Sequence, residues 1–263
     1  MRKLLFFLVL VILGDVAYSY DNTYAIVIGV ADYKNFSAYS GDLTYTVSDA
    51  RKFAAFLQSK NGGSVPASNI FLLLDANASK ANILAKARAL FAKAKTNDRV
   101  IFYFSGHGDK GCFLPYDCGR DGSNMLYFSE IKSVFRYAKC NTKLLFADAC
   151  FAGSMKSVKK EMASKVITHE AKVASKMNIA VMMSCTGDET SMESGELKQG
   201  IFTYYLMQGL GGRANTDGSK YVTIQELFYY VYYKVRAKAA SIGHTQTPVL
   251  FGNFDLRLVV GKI

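Results

Sequence analysis

The chain is poor in several things that would each have pointed to a function. It has three prolines in 263 residues and none of them cluster, so no Pro-rich linker divides it, and no internal repeat is present. Acidic residues are outnumbered 21 to 32 by lysine and arginine, for a formal net charge of +11. Basic proteins often contact nucleic acid or anionic surfaces, but no nucleic-acid motif accompanies this charge. There are three histidines and five cysteines; no paired C-x-x-C or Cys/His spacing makes a metal signature. Of the histidines only His107 follows an apolar strand-like run, as Cys150 does; His169 lies in a polar, Lys-rich stretch and His244 in a late loop, and neither has that setting.

The N-terminal apolar run is short as well. Leu4 to Leu13 spans ten residues behind Arg2 and Lys3, too few to cross a bilayer, which needs about 20. Ala17-Tyr18-Ser19 offers small residues where a signal peptidase reads them. Residues 1–19 are therefore expected to be a signal peptide cleaved after Ser19, and the mature protein to be exported, periplasmic or secreted; an uncleaved anchor is the other reading. No stable membrane insertion is expected after cleavage. Residues 20–263 carry a net charge of +10, because the leader holds Arg2, Lys3 and Asp15. Their length fits one α/β domain with a sizeable core.

Within that domain, apolar runs alternate with helical periodicity. Tyr24 to Val30, Ile70 to Leu74, Ile101 to Phe104, Leu144 to Ala147 and Ile179 to Ser184 read as buried strands. Between and after them, helices are expected over Thr46 to Lys60, from a Ser79 cap toward Lys95, from Ser129 to about Ala138, and from Thr223 to about Ala239. The tyrosines of the last helix read as packing residues. The alternation predicts a mainly parallel sheet between helical layers, joined by right-handed crossovers.

Two strings at strand ends carry the chemistry: Ser105-Gly106-His107-Gly108-Asp109 and Asp148-Ala149-Cys150-Phe151-Ala152-Gly153. Ligands of open α/β sheets gather at the carboxyl ends of strands. A thiol needs a nearby imidazole to become a useful nucleophile. Neighbouring parallel strands would set His107 beside Cys150 as a Cys/His dyad. Glycines on both sides of His107 allow close backbone approach, and Ala149 and Gly153 keep the surroundings of Cys150 small enough for a peptide to reach the sulfur.

With a histidine 43 positions before an Asp-Ala-Cys string, the sequence resembles the caspase-like cysteine peptidases, on the metacaspase side of the family, where Asp stands two residues before Cys. The resemblance runs from Tyr24-Ala25-Ile26-Val27-Ile28-Gly29 through Gly200-Ile201-Phe202-Thr203-Tyr204-Tyr205-Leu206 to Gln246-Thr247-Pro248. It implies a caspase-like three-layer sandwich with a six-stranded sheet. It also implies a large-subunit-like part to about residue 154, an activation loop over about 155–178 and a small-subunit-like part over about 179–263. It places an oxyanion hole at the N–H groups of Gly108 and Cys150, and a substrate pocket at Asp49, Ser105 and Asp148. Two carboxylates in a partly dehydrated pocket call for a cation, so substrates would carry Arg or Lys before the cut bond (P1), and Asp there would be rejected. The other reading of Asp49 is a first-turn charge favoured by the helix dipole.

An enzyme with that taste would meet Lys156, Lys159, Lys160, Lys165, Lys172 and Lys176 directly after its own nucleophile, which makes them self-cleavage candidates; a solvated connection is the plainer reading. Metacaspases often use calcium, but the segment from Asp109 to Asp121 holds only Asp109, Asp117 and Asp121, and Asn215 to Ser219 reads as a turn. No cofactor or metal is expected to be required. Cys112 and Cys118 read equally as a small disulfide or as free thiols, and Cys140 and Cys185 as buried thiols. Asn35-Phe36-Ser37 and Asn77-Ala78-Ser79 match the glycosylation sequon, which matters only in a eukaryotic secretory pathway. The expected protein is a monomeric endopeptidase; a caspase-fold scaffold with weak or no turnover is the alternative.

Overall fold

The computed structural model describes residues 20–36, 42–149, 179–187 and 189–263. The expected signal peptide (residues 1–19), Cys150, the six candidate lysines and His169 lie outside these residues. A six-stranded sheet organises the rest, built from β1 (Thr23–Gly29), β2 (Ile70–Leu74), β3 (Arg99–Gly106), a three-stranded ribbon of β4 (Gly108–Asp109), β5 (Cys112–Phe113) and β6 (Leu126–Tyr127) that stands outside it, then β7 (Thr142–Ala149) and β8 (Ile179–Met183). Its remaining strand is β12 (Val249–Gly252), reached after the short pairs β9 (Glu193–Ser194) with β10 (Gln199–Gly200) and β11 (Tyr221–Thr223) with β13 (Val259–Lys262). Across the sheet the order is β12-β8-β7-β3-β1-β2, parallel throughout except for the antiparallel edge strand β12.

Every residue of β3 is buried, as suits a central strand covered on both faces. Alternate side chains serve two separate cores. Val100, Phe102, Phe104, Leu145 and Ala147 pack beneath α2 (Lys80–Phe91) and α3 (Phe128–Phe135). Ile101, Tyr103, Leu144 and Phe146 pack beneath α1 (Thr46–Gln58), α4 (Ile201–Gln208) and α5 (Ile224–Ser241). This is the sheet between two helical layers that the strand alternation predicted, with the six strands that the family resemblance implied. The period of two also sends Ser105 and Asp148 to the α1 side. There Phe53 of α1 stacks on Tyr103 at 4.3 Å between ring centroids and so sets the helix, with Asp49 on it, over these strand ends.

Helix starts follow their caps. Ser79 Oγ accepts the Asn82 N–H, and Thr223 with Glu226 closes a reciprocal capping box. Three helices end sooner than expected, α1 by two residues, at Gln58. α2 stops at Phe91 because Lys93 and Ala94 bond three residues back, to Leu90 and Phe91, and α3 stops at Phe135 with the same tightening at Tyr137 and Ala138. Among the described residues no helix is long and apolar enough to cross a membrane.

Candidate active site

The carboxyl ends of β3 and β7 are adjacent and in register, with Ser105 beside Asp148 and Gly106 beside Ala149. His107 is the next residue after Gly106, and Cys150 the next in sequence after Ala149. His107 is half-buried. Its backbone N–H donates to the Tyr33 hydroxyl at 2.6 Å, and the two rings lie 5.0 Å apart. The Tyr33 hydroxyl is also 2.8 Å from where a Cβ on Gly106 would stand, so the glycine before His107 is required by space. Tyr33, 1% exposed, was not singled out in the sequence; its only signal is an aromatic residue soon after the first strand.

Beyond His107 the chain turns into β4, where Leu114 N–H donates to the His107 carbonyl and Gly108 sits opposite Phe113. Antiparallel pairs alternate between bonded and non-bonded. With the 107/114 pair bonded, the Gly108 N–H points off the ladder. Phe113 stacks on Phe104 of β3 at 4.4 Å, which ties this ribbon to the sheet.

Asp49, Ser105 and Asp148 come together although 99 residues separate the first from the last. All three are buried, at 1%, 1% and 6% exposure. They line one cavity of about 20 Å³ with Leu43, Thr46, Gly106, Ser191, Met192, Glu193 and Gly200. That volume suits roughly one water. Asp148 is engaged at both oxygens: Oδ1 accepts from the Ser191 hydroxyl, and Oδ2 accepts from Thr203 N–H at 3.0 Å and Thr203 Oγ1 at 2.7 Å. Asp49 Oδ2 accepts the Gly200 N–H at 2.8 Å, while Oδ1 is buried with no hydrogen-bond partner among the described residues. The carboxylate therefore grips the β10 backbone rather than capping its own helix.

Both oxygens converge on Gly200, where a Cβ would fall 2.3 Å from Asp148 Oδ2 and 2.9 Å from Asp49 Oδ2. Burial, then the neighbouring Asp148 charge, pushes the Asp49 carboxyl up to about 8. Burial likewise raises Asp148, against the donors from Ser191 and Thr203.

The other sequence candidates fall elsewhere. Cys112, Cys118, Cys140 and Cys185 are buried free thiols, and Cys112 contacts the Met125 sulfur at 3.6 Å, so the small-disulfide reading of Cys112 and Cys118 does not hold. Burial pushes the thiols of Cys112 and Cys118 up to about 12, which makes them poor nucleophiles. Asp109, Asp117 and Asp121 each accept a backbone N–H, from Lys110, Lys80 and Ser123. Among the described residues no three His, Cys, Asp or Glu side chains are grouped to hold a metal. Asn215 to Ser219 is a turn, closed by Asn215 and Asp217 side chains. His244 is an exposed residue after α5.

The caspase-domain family model matches residues 22–257. The chain belongs to the caspase-domain family. A probable protease of a Desulfuromonadales bacterium is 25% identical over 258 residues, covering 86% of this caspase-domain chain but 31% of its own length, so the chain spans about a third of that relative. The crystal structure of caspase-1 from Spodoptera frugiperda superposes with a TM-score of 0.63 at 16% identity, covering 93% of this chain and 92% of that one. A protein of Geobacter sulfurreducens matches equally well, at a TM-score of 0.63, 14% identity, and 92% and 99% coverage. At these identities the likeness shows the caspase fold.

Proposed function

We propose that this caspase-domain protein is a cysteine endopeptidase that cuts after arginine or lysine, with Cys150 as nucleophile and His107 as its proton partner. The observation that carries the reading is the register of β3 and β7, which pairs the residues immediately before His107 and Cys150. Beside it, two carboxylates converge at the same strand ends. The Cys150 thiolate attacks the substrate carbonyl carbon, and the C–N bond then breaks as His107 gives its proton to the leaving amine. Water, losing a proton to His107, hydrolyses the resulting thioester and frees the second product. The N–H groups of Gly108 and Cys150 would stabilise the oxyanion; such donors are typically worth about 3 kcal/mol each. Asp49, Ser105 and Asp148 would receive the P1 cation once the cavity widens.

No cofactor or metal is required by this scheme. Protein substrates, export through the N-terminal segment and a monomeric state are part of the same proposal. Self-cleavage between Lys156 and Lys176 is its regulatory arm.

A fluorogenic peptide panel with Arg, Lys, Asp and Asn at P1 tests the specificity, run on wild type and Cys150→Ala. Arg or Lys peptides are expected to be cut by the wild type alone. Cleavage of no peptide by well-folded protein would favour a scaffold. Mass spectrometry of the same samples should find a new terminus after one of the six lysines in the wild type and an intact Cys150→Ala chain. A fully active, uncut wild type, or a Cys150→Ala chain nicked at the same bond, would remove self-cleavage.

A further inference from the structure

Gln246 is 1% exposed, and its amide joins three parts of the site. Oε1 accepts the Met192 N–H at 3.1 Å, while Nε2 donates to the Ser184 carbonyl at 3.1 Å and to Ser191 Oγ at 3.2 Å. Glu189 holds the neighbouring Thr247 at its N–H and hydroxyl, which seats this segment against the 184–192 stretch.

An amide nitrogen can only donate, so its bond to Ser191 decides where the serine proton goes. Ser191 receives from Gln246 and gives to Asp148 Oδ1. On the far side Tyr103 and Thr203 share a 2.6 Å bond, and the Thr203 hydroxyl gives to Asp148 Oδ2. Donors thus meet Asp148 at both oxygens, and hydrogen bonding favours its anion. The second arm runs to the strand end. Ser184 Oγ accepts the Ala149 N–H and donates to the Ala149 carbonyl, each at 3.1 Å. Ser184 therefore grips both polar groups of the residue that precedes Cys150.

We propose that Gln246 is a positioning residue: it fixes the direction of the Ser191–Asp148 hydrogen bond so that Asp148 meets the substrate cation as an anion, and through Ser184 it holds the peptide that carries the nucleophile. This rests on the peptidase reading above.

Gln246→Glu tests it, because the ionised carboxylate it introduces cannot donate and draws the Ser191 proton away from Asp148. The charged or titratable groups facing Asp148 are Asp49 from α1, Glu193 from β9 and Tyr103 from β3. They stay in place in this variant. With the donor lost, Asp148 should protonate at higher pH, so the acid limb of kcat/KM for an Arg peptide is expected to move up by about one pH unit or more. Loosening the Ser184 arm should also lower kcat, by up to ~100-fold. Ser191→Ala removes only the first arm; the acid limb should move and KM rise, with kcat near wild type.

Residue-resolved carboxyl NMR titration of Asp148 in wild type and both variants reads the same coupling without turnover. A folded Gln246→Glu protein with wild-type acid limb, kcat and Asp148 titration overturns the proposal. If that variant does not fold, an unmoved Asp148 titration in Ser191→Ala overturns it. Should the wild type cut no basic peptide, the peptidase reading fails by itself, and the Asp148 titration still decides the coupling: an upward shift supports it, no shift ends it.

Discussion

Cys150→Ala is expected to lower peptide hydrolysis by roughly 1000-fold or more, and His107→Ala by a similar factor, because a nucleophile and its proton partner act as one unit. For the same reason the double variant should be little worse than either single one. The histidine change should leave the fold in place. Its contact with Tyr33 uses the backbone N–H, which alanine retains, and the half-buried ring fills little core volume. Initial rates on the best basic peptide, alongside near-UV circular dichroism, check both statements. Activity within tenfold of wild type in either single variant would refute the dyad.

Asp148→Asn and Asp49→Asn should each reduce kcat/KM for Arg peptides by about 100-fold while leaving neutral peptides nearly unchanged, since a desolvated cation loses its charge-assisted partner, Asp49 giving up its proton as the cation enters. An unchanged Arg-to-neutral ratio in both variants would remove the pocket assignment. Asp49 carries a second readout. Its carboxyl moves from an unfolded value of 3.8 to about 8 in the fold, so the native state holds a proton that the unfolded chain has released. The sign follows from linkage: native stability relative to a non-titrating residue is greatest below about pH 4 and is lost as pH rises toward about 8. Asparagine keeps an acceptor for the Gly200 N–H without that charge. The melting temperature of Asp49→Asn should therefore exceed that of wild type by more at pH 9 than at pH 5, and an equal difference at both pH values would show that Asp49 does not titrate in this window.

How legible the molecule was depends on the range of each interaction. Apolar runs and caps are local, so β2 was bounded correctly at Ile70 and Leu74, and Ser79 and Thr223 marked their helices. Asp49, Ser105 and Asp148 needed the family resemblance to be grouped as a pocket; the partner of Asp49, for one, is a backbone N–H 151 residues away. Tyr33, Ser184, Ser191 and Gln246 were missed: each works through a long-range hydrogen bond to another segment, and nothing beside them in sequence announces it. Arg99 was unreadable for a related reason. It opens a strand where a charge is expected in solvent, yet it is 2% exposed, donating to Thr23 and the Val260 carbonyl beneath the Tyr20 ring.

The 20 Å³ cavity has an energetic consequence for any side chain that enters it. Leu43 and Met192 line its walls, and the two segments are stitched by one carboxylate, with Glu193 accepting the N–H groups of Thr44 at 3.0 Å and Tyr45 at 2.7 Å. On the proposed basic specificity, a guanidinium would need several times that space, and the walls would have to part before it bound. The apparent dissociation constant is then the intrinsic one divided by the fraction of molecules already open; if that fraction is ~1%, binding weakens about 100-fold with no change in any contact to the ligand. Affinity would then lie partly in the work of separating two loops, a quantity that residues outside the cavity can tune without touching the substrate.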